Sequence, residues 1–333
     1  MLNISISNYF VRAVLHHAPA AGLDRTELLR QAGIPPELFD QHYARISAVR
    51  FAMLQAKAVQ AMGDEFLGYG PRRLLPGTWA NMCHAVIHCP TLGEALDRCC
   101  SFYRMFEDGL QPTLERHGEH LRITIEAGRP DFDYTLYAWE QMMYTLHRFA
   151  SWLVRQHVPL VSIDMAAPVP AHIDDYRHVF LGQPVQFDRP RFALTLSSQV
   201  AALPLEQNEQ SLHHFLHHPL LVLLVQQYKQ QSWSQRVRQA LSKNLHLSPT
   251  IDDIAADLKL HQQTLRRRLA SEGASYNEIK NQCRRDTALY YLGKPHLSIE
   301  HIALQTGFSE TSAFTRAFKQ WTGVPPRLYR RRQ

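Results

Sequence analysis

Cysteine and histidine residues stand close together in two stretches that could hold a metal ion. In the first, Cys83, His84, His88 and Cys89, the two histidines are four residues apart and share one face of a predicted helix. The two cysteines are six residues apart and would not easily join that pair, so packing within a helix is favoured. The second stretch, the histidine-rich run 213–218, lies in a polar connector, where a solvated face is favoured. We therefore predict no metal and no other cofactor.

The chain lacks the short motifs of catalysis, secretion and membrane insertion. It has no phosphate-binding loop, no Gly-x-Ser-x-Gly and no His-Glu-x-x-His, so we expect no catalytic residue and no enzyme. Five cysteines form an odd number without framework spacing, which is typical of reduced thiols in a cytosolic protein. The first residues do not form a signal peptide, and the apolar run 220–225 is too short to cross a bilayer. We predict a cytoplasmic protein without a membrane partner.

Polar and cationic side chains recur on one face of each of two predicted helices near the C-terminus. Arginine can bind guanine with two hydrogen bonds and glutamine can bind adenine, while threonine and serine reach bases or phosphates. The candidate DNA contacts are Gln262, Gln263, Thr264, Arg266 and Arg267 in the first helix, and Thr311, Ser312, Thr315, Arg316 and Lys319 in the second. Because the arginines 266–268 span most of a helical turn, we expect at least one of them to face phosphate or solvent.

Charge is distributed unevenly along the chain. Residues 233–333 hold 17 Lys and Arg against 8 Asp and Glu, whereas residues 1–232 hold 19 against 22. The C-terminal segment therefore has a net charge of +9 within a chain of +6. A positive segment of this kind is typical of proteins that bind a polyanion such as duplex DNA.

An internal repeat positions the two polar faces. The pattern Ile-Ala-x-x-Leu-x-Leu at 254–260 recurs 48 residues later as Ile-Ala-x-x-Thr-x-Phe at 302–308. The small alanine lets two helices cross closely, and the large apolar side chains fill the angle between them, as a helix-turn-helix requires. We predict one helix-turn-helix over residues 250–272 and a second over 298–322. An ordinary helical bundle with a solvated basic face is the alternative, and two repeats in register argue against it.

Local signals place the ends, turns and spacer of this repeat. Thr250 and Ser298 occupy N-cap positions. Gly307 stands where the second turn favours a positive φ, whereas the first turn has Lys259, which is mildly strained there. A predicted helix over 276–292 would be about 25 Å long at 1.5 Å per residue. A rigid spacer of that length could set two recognition helices about one duplex turn apart, ~34 Å.

The N-terminal half changes from helical to strand periodicity along its length. Helices are predicted over residues 3–17, 25–31, 47–62, 78–88, 91–106 and 134–156, and strands over 110–116, 120–126, 160–166 and 191–196, with a loop-rich stretch at 168–190. Thr91 can cap the fifth helix, with Glu94 as its partner three residues on. We expect an α+β fold, with helices packed on a small, mostly antiparallel sheet.

Three stretches of the C-terminal segment carry a family resemblance: IDDIAADLKLHQQTLRRRLASEG, SYNEIKNQCRRDTALYYL and SIEHIALQTGFSETSAFTRAFKQWTGVPPRLYR. The last is the most specific, with Ile-Ala-x-x-x-Gly-Phe-Ser, Phe-x-Arg-x-Phe-Lys and Gly-x-x-Pro-x-x-Tyr. With these motifs residues 233–333 resemble the DNA-binding domain of the AraC/XylS family of bacterial transcription regulators, although Thr306 replaces the usual Val or Cys. The resemblance implies an all-α domain with two helix-turn-helix units joined by a helix, binding to double-stranded DNA, and activation by recruiting RNA polymerase.

A second resemblance covers roughly residues 20–205. Pro76-Gly77-Thr78, the run Cys-Pro-Thr-Leu-Gly-Glu-Ala-Leu at 89–96 and Tyr103 are similar to the effector domain of the arabinose-binding type in this family. We infer no sugar ligand from that name. The resemblance implies that residues 1–205 sense an unidentified small-molecule effector and that 233–333 bind DNA. Residues 206–232, which are polar and rich in glutamine, are predicted to connect the two domains. The N-terminal half is also favoured as the surface of a homodimer, because the C-terminal segment already carries two recognition helices.

Aromatic and arginine side chains of the N-terminal half are candidates for the effector site. An apolar cavity could be lined by aromatic residues, with an arginine available for an anionic group. These candidates are Arg72, Trp79, Tyr103, Arg104, Tyr134, Tyr137 and Trp139.

Two other functions remain as alternatives to an effector-responsive regulator: a metal- or thiol-responsive regulator that uses the N-terminal Cys and His residues, and an enzyme tethered to DNA.

Overall fold

A computed structural model of the chain describes residues 4–42, 44–180, 183, 185–225, 233–272 and 274–330. The chain divides into two compact units. The first comprises Met1–Arg12, Thr26–Leu54 and Lys229–Gln333, and the second comprises Ala13–Arg25 and Gln55–Tyr228. The glutamine-rich stretch 226–231, predicted as part of the connector, lies outside the described residues.

Helices account for most of the described residues, and strands occur only in the N-terminal two thirds of them. The helices are α1 (Asn8–Val14), α2 (Arg25–Gln31), α3 (Ala48–Met62), α4 (Thr78–Val86), α5 (Leu92–Arg104), α6 (Leu136–Leu153), α7 (Ile173–Val179), α8 (Ser198–Ala201), α9 (Glu209–His217), α10 (Pro219–Val225), α11 (Trp233–Asn244), α12 (Ile251–Asp257), α13 (Gln262–Ser271), α14 (Tyr276–Leu292), α15 (Ile299–Gln305), α16 (Thr311–Thr322) and α17 (Pro326–Arg330). The strands are β1 (Ser5–Ser7), β2 (Arg45–Ser47), β3 (Leu110–His117), β4 (His120–Ala127), β5 (Ser162–Asp164), β6 (Val185–Gln186) and β7 (Phe192–Ser197). Short 3₁₀ turns lie at Pro19–Ala21, Pro36–Leu38 and Leu245–Leu247.

A five-stranded sheet organises the second compact unit. Its strand order is β3-β4-β7-β5-β6, and every pairing is antiparallel except that of β5 with β6. The predicted hairpin is confirmed: Gly118, at a φ of 61°, turns the chain between β3 and β4. Leu121, Ile123 and Ile125 of β4 are buried and hold the sheet against the core. The expected α+β fold with a small, mostly antiparallel sheet is confirmed.

A side-chain cap starts helix α5 of the second compact unit, and extensive burial stabilises its longest helix, α6. The backbone N–H of Glu94 donates to Thr91 Oγ1 over 3.3 Å at the start of α5, so the predicted cap is present. The long helix α6 is buried along most of its length, and Phe149 and Leu153 are fully enclosed. Burial of so much apolar surface, rather than helix propensity alone, stabilises these elements.

A buried histidine of α6 predicts how the stability of the fold depends on pH. His147 is 2% exposed, and its Nε2–H donates to the carbonyl of Val158 over 2.9 Å. Burial lowers the pKa of His147 to about 3, and the nearby Arg148 adds to this effect. The unfolded chain therefore binds a proton below pH ~6.5 that the folded chain does not bind. We expect the free energy of unfolding to fall by about 2 kcal/mol between pH 7 and pH 5 from this residue alone.

Denaturant unfolding at the two pH values, for the wild-type chain and for His147→Gln, checks this expectation. The glutamine can still donate to Val158 but does not titrate, so the loss of stability at pH 5 should shrink by about 2 kcal/mol. His157, whose pKa burial lowers to about 4, titrates in both proteins and cancels from the comparison. An equal pH dependence in the two proteins would show that His147 is not held neutral.

One predicted helix is shorter than the sequence indicated. Residues 3–17 were expected to form a single helix, but Ser5–Ser7 form β1, and helix α1 starts only at Asn8. The strand pairs antiparallel with β2, and the Arg45 side chain donates to both Ser5 Oγ and the Ser5 carbonyl. The prediction was wrong because the partner strand lies 40 residues away, beyond the reach of local periodicity.

The stretch 168–190, predicted as loop, contains two short regular elements. Helix α7 begins at Ile173, and β6 adds a parallel edge strand to the sheet through Val185 and Gln186. Tyr176 of α7 is 2% exposed and donates a hydrogen bond to the buried carboxylate of Glu140. These elements escaped prediction because they are short and depend on contacts with residues distant in sequence.

The first compact unit groups the C-terminal helices with N-terminal segments. The Arg50 guanidinium lies 4.8 Å from the ring centroid of Tyr329, and both residues are buried. The expected division into residues 1–205, 206–232 and 233–333 stays a prediction. Among the described helices, none is long and apolar enough to cross a membrane.

Candidate nucleic-acid interface

The first helix-turn-helix is formed by α12 and α13. Thr250 caps α12 through a reciprocal pair of hydrogen bonds with Asp253, at 3.3 Å and 2.7 Å. Ile254 and Ala255 of α12 and Leu265 and Leu269 of α13 are at most 2% exposed and belong to one apolar cluster. These residues hold α13 across α12, which leaves the opposite face of α13 exposed.

The second helix-turn-helix, α15 and α16, repeats this construction. The Ser298 side chain caps α15 by accepting from the His301 N–H over 3.0 Å. Phe314 and Phe318 of α16 are fully buried and fill the place that leucines fill in the first unit. In both turns the same backbone bond closes the corner: Leu260 N–H donates to Ala255 O over 2.9 Å, and Phe308 N–H donates to Ala303 O over 3.0 Å. The predicted repeat therefore has a geometric counterpart in the corner bond of each turn, although the caps of α12 and α15 differ.

The two turns differ at the residue with positive φ. Gly307 has φ 77°, and Lys259 at the equivalent position has φ 55°, as the sequence predicted. A Cβ on Gly307 would lie 2.5 Å from the Leu245 carbonyl oxygen, which no side chain tolerates. We expect Gly307→Ala to lower the free energy of unfolding by about 2 kcal/mol, since a left-handed conformation alone costs ~1–2 kcal/mol in a non-glycine residue.

Lys259→Gly is the matched control, because it relieves the same strain in the first turn. We expect it to change stability by less than about 1 kcal/mol, since the relief is offset by the added freedom of the unfolded chain. Denaturation of both variants in the full-length chain measures the difference. Equal effects of the two substitutions would contradict the structural asymmetry between the turns.

Four cationic side chains lie on the outer faces of α13 and α16. Arg266 and Arg267 are exposed on α13, and Arg316 and Lys319 are exposed on α16. Within the part of the chain that the structure describes, none of the four side chains has a hydrogen bond, an ion pair or a ring contact. An unpaired, solvated cation keeps its full attraction for a phosphate or a base edge.

The uncharged candidates occupy the same two faces. Gln263 and Ser312 are exposed, and Gln262, Thr264, Thr311 and Thr315 are partly buried. Two of them already have partners: the Gln262 amide donates to Asp252 Oδ2 over 3.2 Å, and the Ser312 hydroxyl donates to Glu310 Oε2 over 3.0 Å. Both partners are themselves at the surface, so these bonds are exchangeable for contacts with DNA.

Arg268 differs from its two neighbours. Its guanidinium carbon lies 4.1 Å from the ring centroid of Trp233, at the same distance as that of Arg236. Glu272 holds this corner by accepting hydrogen bonds from the backbone N–H groups of Trp233 and Ser234 over 2.7 Å and 2.9 Å. Arg268 is thus a packing residue that joins α13 to the start of α11. The sequence analysis placed Arg268 on the same polar face as Arg266 and Arg267 and did not predict this contact with Trp233.

Three of the candidates for an effector site lie together: Tyr134 is in ring contact with Trp139, and its hydroxyl donates to the carbonyl of Asp108, the residue that also pairs with Arg72. The ring contacts of Trp79 are with Phe149 and Phe215, those of Trp139 are with Phe192 and Tyr134, and Tyr137 contacts Tyr69. Tyr103 is buried, and burial raises its pKa well above the usual value. Arg72 pairs with Asp108 over 2.6 Å, and exposed Arg104 donates to Ser101 over 3.0 Å. Tyr134, Trp139 and Arg72 therefore lie around Asp108, whereas the ring contacts of Trp79 and Tyr137 are with other residues. The role of all these candidates in ligand binding stays a prediction.

The cysteine and histidine stretches hold no metal-binding geometry in the described residues. No group of three His, Cys, Asp or Glu side chains there is placed to bind an ion. All five cysteines are buried and free, and burial raises the pKa of Cys100 to about 12 and that of Cys283 to about 11. A thiol held neutral in this way is a poor nucleophile and a poor ligand. His88 pairs with Glu209 over 3.1 Å instead. In the part of the chain that the structure describes, nothing supports the metal-responsive alternative.

Comparison with known proteins matches both halves of the chain to one family. Residues 22–205 match the model described as the arabinose-binding N-terminal domain of the AraC transcription regulator, and residues 254–332 match a helix-turn-helix domain model. Both resemblances inferred from the sequence are confirmed.

Several relatives and a solved structure are similar over nearly the whole chain. The ornithine utilization regulator of Pseudomonas aeruginosa is 29% identical over 324 residues, which cover 96% of this chain and 95% of that protein. The transcriptional regulator VirS of Mycobacterium tuberculosis is 25% identical over 328 residues, which cover 93% of this chain and 91% of that protein. The crystal structure of the transcriptional regulator CdpR from Pseudomonas aeruginosa is 20% identical, with a TM-score of 0.31, over 98% of this chain and 99% of that chain. The chain belongs to the AraC family of transcription regulators, and it is a DNA-binding regulator of transcription.

Proposed function

We propose that this regulator responds to a small-molecule effector and activates transcription by placing its two recognition helices in successive major grooves on one face of a duplex. The observation that carries the DNA contact is the pair of outer faces on α13 and α16. Each presents two exposed cations without a partner among the described residues. Electrostatic attraction to phosphates supplies most of the non-specific affinity of such a surface.

The side chains on the two faces divide by chemistry into base and phosphate contacts. Arg267 and Arg316 are proposed to bind guanine, because a guanidinium can donate two hydrogen bonds to its major-groove edge. Gln262 and Gln263 can bind adenine in the same way, while Thr264, Thr311, Ser312 and Thr315 reach either bases or phosphates. Arg266 and Lys319 are assigned to phosphates.

The spacer helix supports contact with two grooves. Helix α14 has 17 residues and starts at a Ser275–Glu278 capping box. At 1.5 Å per residue it is about 25 Å long, which suits recognition helices about 34 Å apart, the repeat of the major groove. A duplex bound in this way carries two half-sites about one turn apart.

The N-terminal half is proposed as the effector-sensing part. Its match to an N-terminal domain of this family supports that role. The name of the Pseudomonas relative makes an amino acid such as ornithine the first effector to test. An effector that binds one conformation better than another by ~1–3 kcal/mol changes DNA affinity by about 5–150-fold.

The test uses the full-length chain and a duplex selected by it from random DNA. Affinity for that duplex is measured with and without ornithine, with glycine as the control amino acid. Run-off transcription with RNA polymerase from a promoter beside the selected site measures activation in the same mixtures. We expect ornithine, or a related diamine, to change both readouts by at least about fivefold. Unchanged affinity and transcript yield would contradict the effector proposal, while the proposal that the chain binds DNA would stand.

The remaining parts of the proposal concern assembly and location. We propose a homodimer formed by the N-terminal half, because a second copy adds avidity when both copies reach adjacent sites. The protein would act in the cytoplasm, beside the DNA that it binds, and would do no chemistry of its own. Sedimentation of the full-length chain tests the dimer: a mass of one chain at micromolar concentration would contradict it.

A further inference from the structure

One arginine of the spacer helix connects the two helix-turn-helix units directly. Arg284 of α14 uses a single nitrogen, Nη2, to donate to Ser248 Oγ and to the Gly307 carbonyl, each over 2.8 Å. Ser248 lies in the loop that leads into the first helix-turn-helix, and Gly307 lies in the turn of the second. The Arg284 guanidinium carbon also lies 4.6 Å from the ring centroid of Phe308, in that same turn.

The two segments that Arg284 joins are in close contact. A Cβ added to Gly307 would lie 2.5 Å from Leu245 O and 3.4 Å from Ser248 Cβ, so only a glycine fits where the turn meets this loop. Ser248 itself has φ 51°, a left-handed conformation that a serine adopts only when its surroundings hold it there. The loop and the turn therefore have one closely defined arrangement.

A neighbouring residue of the same helix contacts only the first side. Lys280, one helical turn before Arg284, donates through Nζ to Ser248 O over 3.0 Å and to Pro249 O over 2.7 Å. It ties the spacer helix to the loop before the first helix-turn-helix, and among the described residues it has no hydrogen bond to the second. Arg284 and Lys280 thus carry the same charge on the same face of α14, and of these two only Arg284 bridges the units.

We propose that Arg284 is a positioning residue that fixes the separation of the two recognition helices, and thereby the number of base pairs that the protein accepts between its two half-sites. The inference rests on the proposed contact with two successive grooves. A helix fixes the distance between its ends, but the units attached to those ends can still rotate about it. A planar group bonded to both units removes that rotation, so that a duplex with altered spacing meets only one recognition helix in register.

The experiment measures spacing preference with the full-length chain. The duplex selected by the wild-type protein is compared with duplexes in which one or two base pairs are added or removed between the two protected half-sites. The wild-type protein should bind the original spacing best. In Arg284→Ala we expect the ratio of affinities for original and altered spacing to fall by about tenfold, because the coupling between the half-sites is lost. Lys280→Ala, the matched control, should keep the wild-type ratio.

Salt dependence separates positioning from a phosphate contact. A positioning residue leaves the slope of log affinity against log salt unchanged, whereas loss of a phosphate contact reduces it by about one. Arg284→Lys retains the charge but lacks the planar group, so its spacing ratio should resemble that of Arg284→Ala. If Arg284→Ala weakens all spacings equally with a reduced slope, and Arg284→Lys restores the affinity, the proposal is overturned.

A second variant covers the case in which Arg284→Ala does not fold, as judged by circular dichroism. Ser248→Ala removes one acceptor and leaves Arg284 in place, so we expect a smaller relaxation of spacing in the same direction. An unchanged ratio in Ser248→Ala would overturn the proposal. A wild-type protein that protects a single half-site would contradict both this inference and the proposed contact with two grooves. The footprint of the wild-type protein alone gives that result, so it is distinguished from a failure of the Arg284 variants.

Discussion

The double substitution Arg267→Ala/Arg316→Ala is expected to weaken binding to the selected duplex by about 2–6 kcal/mol, twice the ~1–3 kcal/mol of one arginine–guanine contact. The two arginines lie on different recognition helices and share no partner among the described residues, so their effects should add. Titration of the full-length variants against the selected duplex, and against duplexes changed at single guanines, measures the loss.

Lys319→Ala is the control for charge alone. A phosphate contact carries no sequence information, so this variant should lose similar affinity for selected and scrambled duplexes. The arginine variants should instead lose more affinity for the selected duplex than for the scrambled duplex. Equal losses of the arginine variants on both duplexes would reduce Arg267 and Arg316 to electrostatic contacts.

Phe314→Ala is expected to destabilise the second helix-turn-helix by about 3–5 kcal/mol, the usual cost of removing a fully buried aromatic ring. Phe314 is 0% exposed and lies 5.7 Å, ring to ring, from both Phe308 and Phe318. Amide hydrogen exchange in the full-length chain reports on this region without requiring a two-state transition of the whole protein. Exchange within α15 and α16 should accelerate by about 10²–10⁴-fold, the equivalent of that loss in stability.

Leu304→Ala provides the comparison within the same helix-turn-helix unit. Leu304 is 57% exposed on α15, so its truncation should change stability by less than about 0.5 kcal/mol. Slow exchange in α16 that survives Phe314→Ala would show that Phe314 does not hold the second unit together.

The sequence predicted those parts of the structure that depend on local pattern. The repeat at 254–260 and 302–308 marked both turns, and Gly307 and Lys259 have the backbone conformation that their positions implied. The hairpin at Gly118 and the cap at Thr91 were visible for the same reason, because a turn or a cap is decided within four or five residues.

The parts that escaped prediction depend on partners distant in sequence. Strand β1 exists because Ser5–Ser7 pair with Arg45–Ser47, and no property of Ser5–Ser7 alone indicates that pairing. In the candidate interface, the faces of α13 and α16 follow from helical periodicity. The separate role of Arg268 follows from Trp233, 35 residues earlier in the chain, and the bridging role of Arg284 follows from Ser248 and Gly307 on either side of it.

The central claim is that this chain recognises a specific DNA sequence through its two helix-turn-helix units. The measurement that tests it most directly is the equilibrium affinity of the full-length chain for its selected duplex and for a scrambled duplex of equal length and composition, at several salt concentrations. We predict a preference of about 10³-fold or more for the selected duplex, with both affinities falling linearly as log salt rises. Equal affinity for the two duplexes at every salt concentration would contradict the claim.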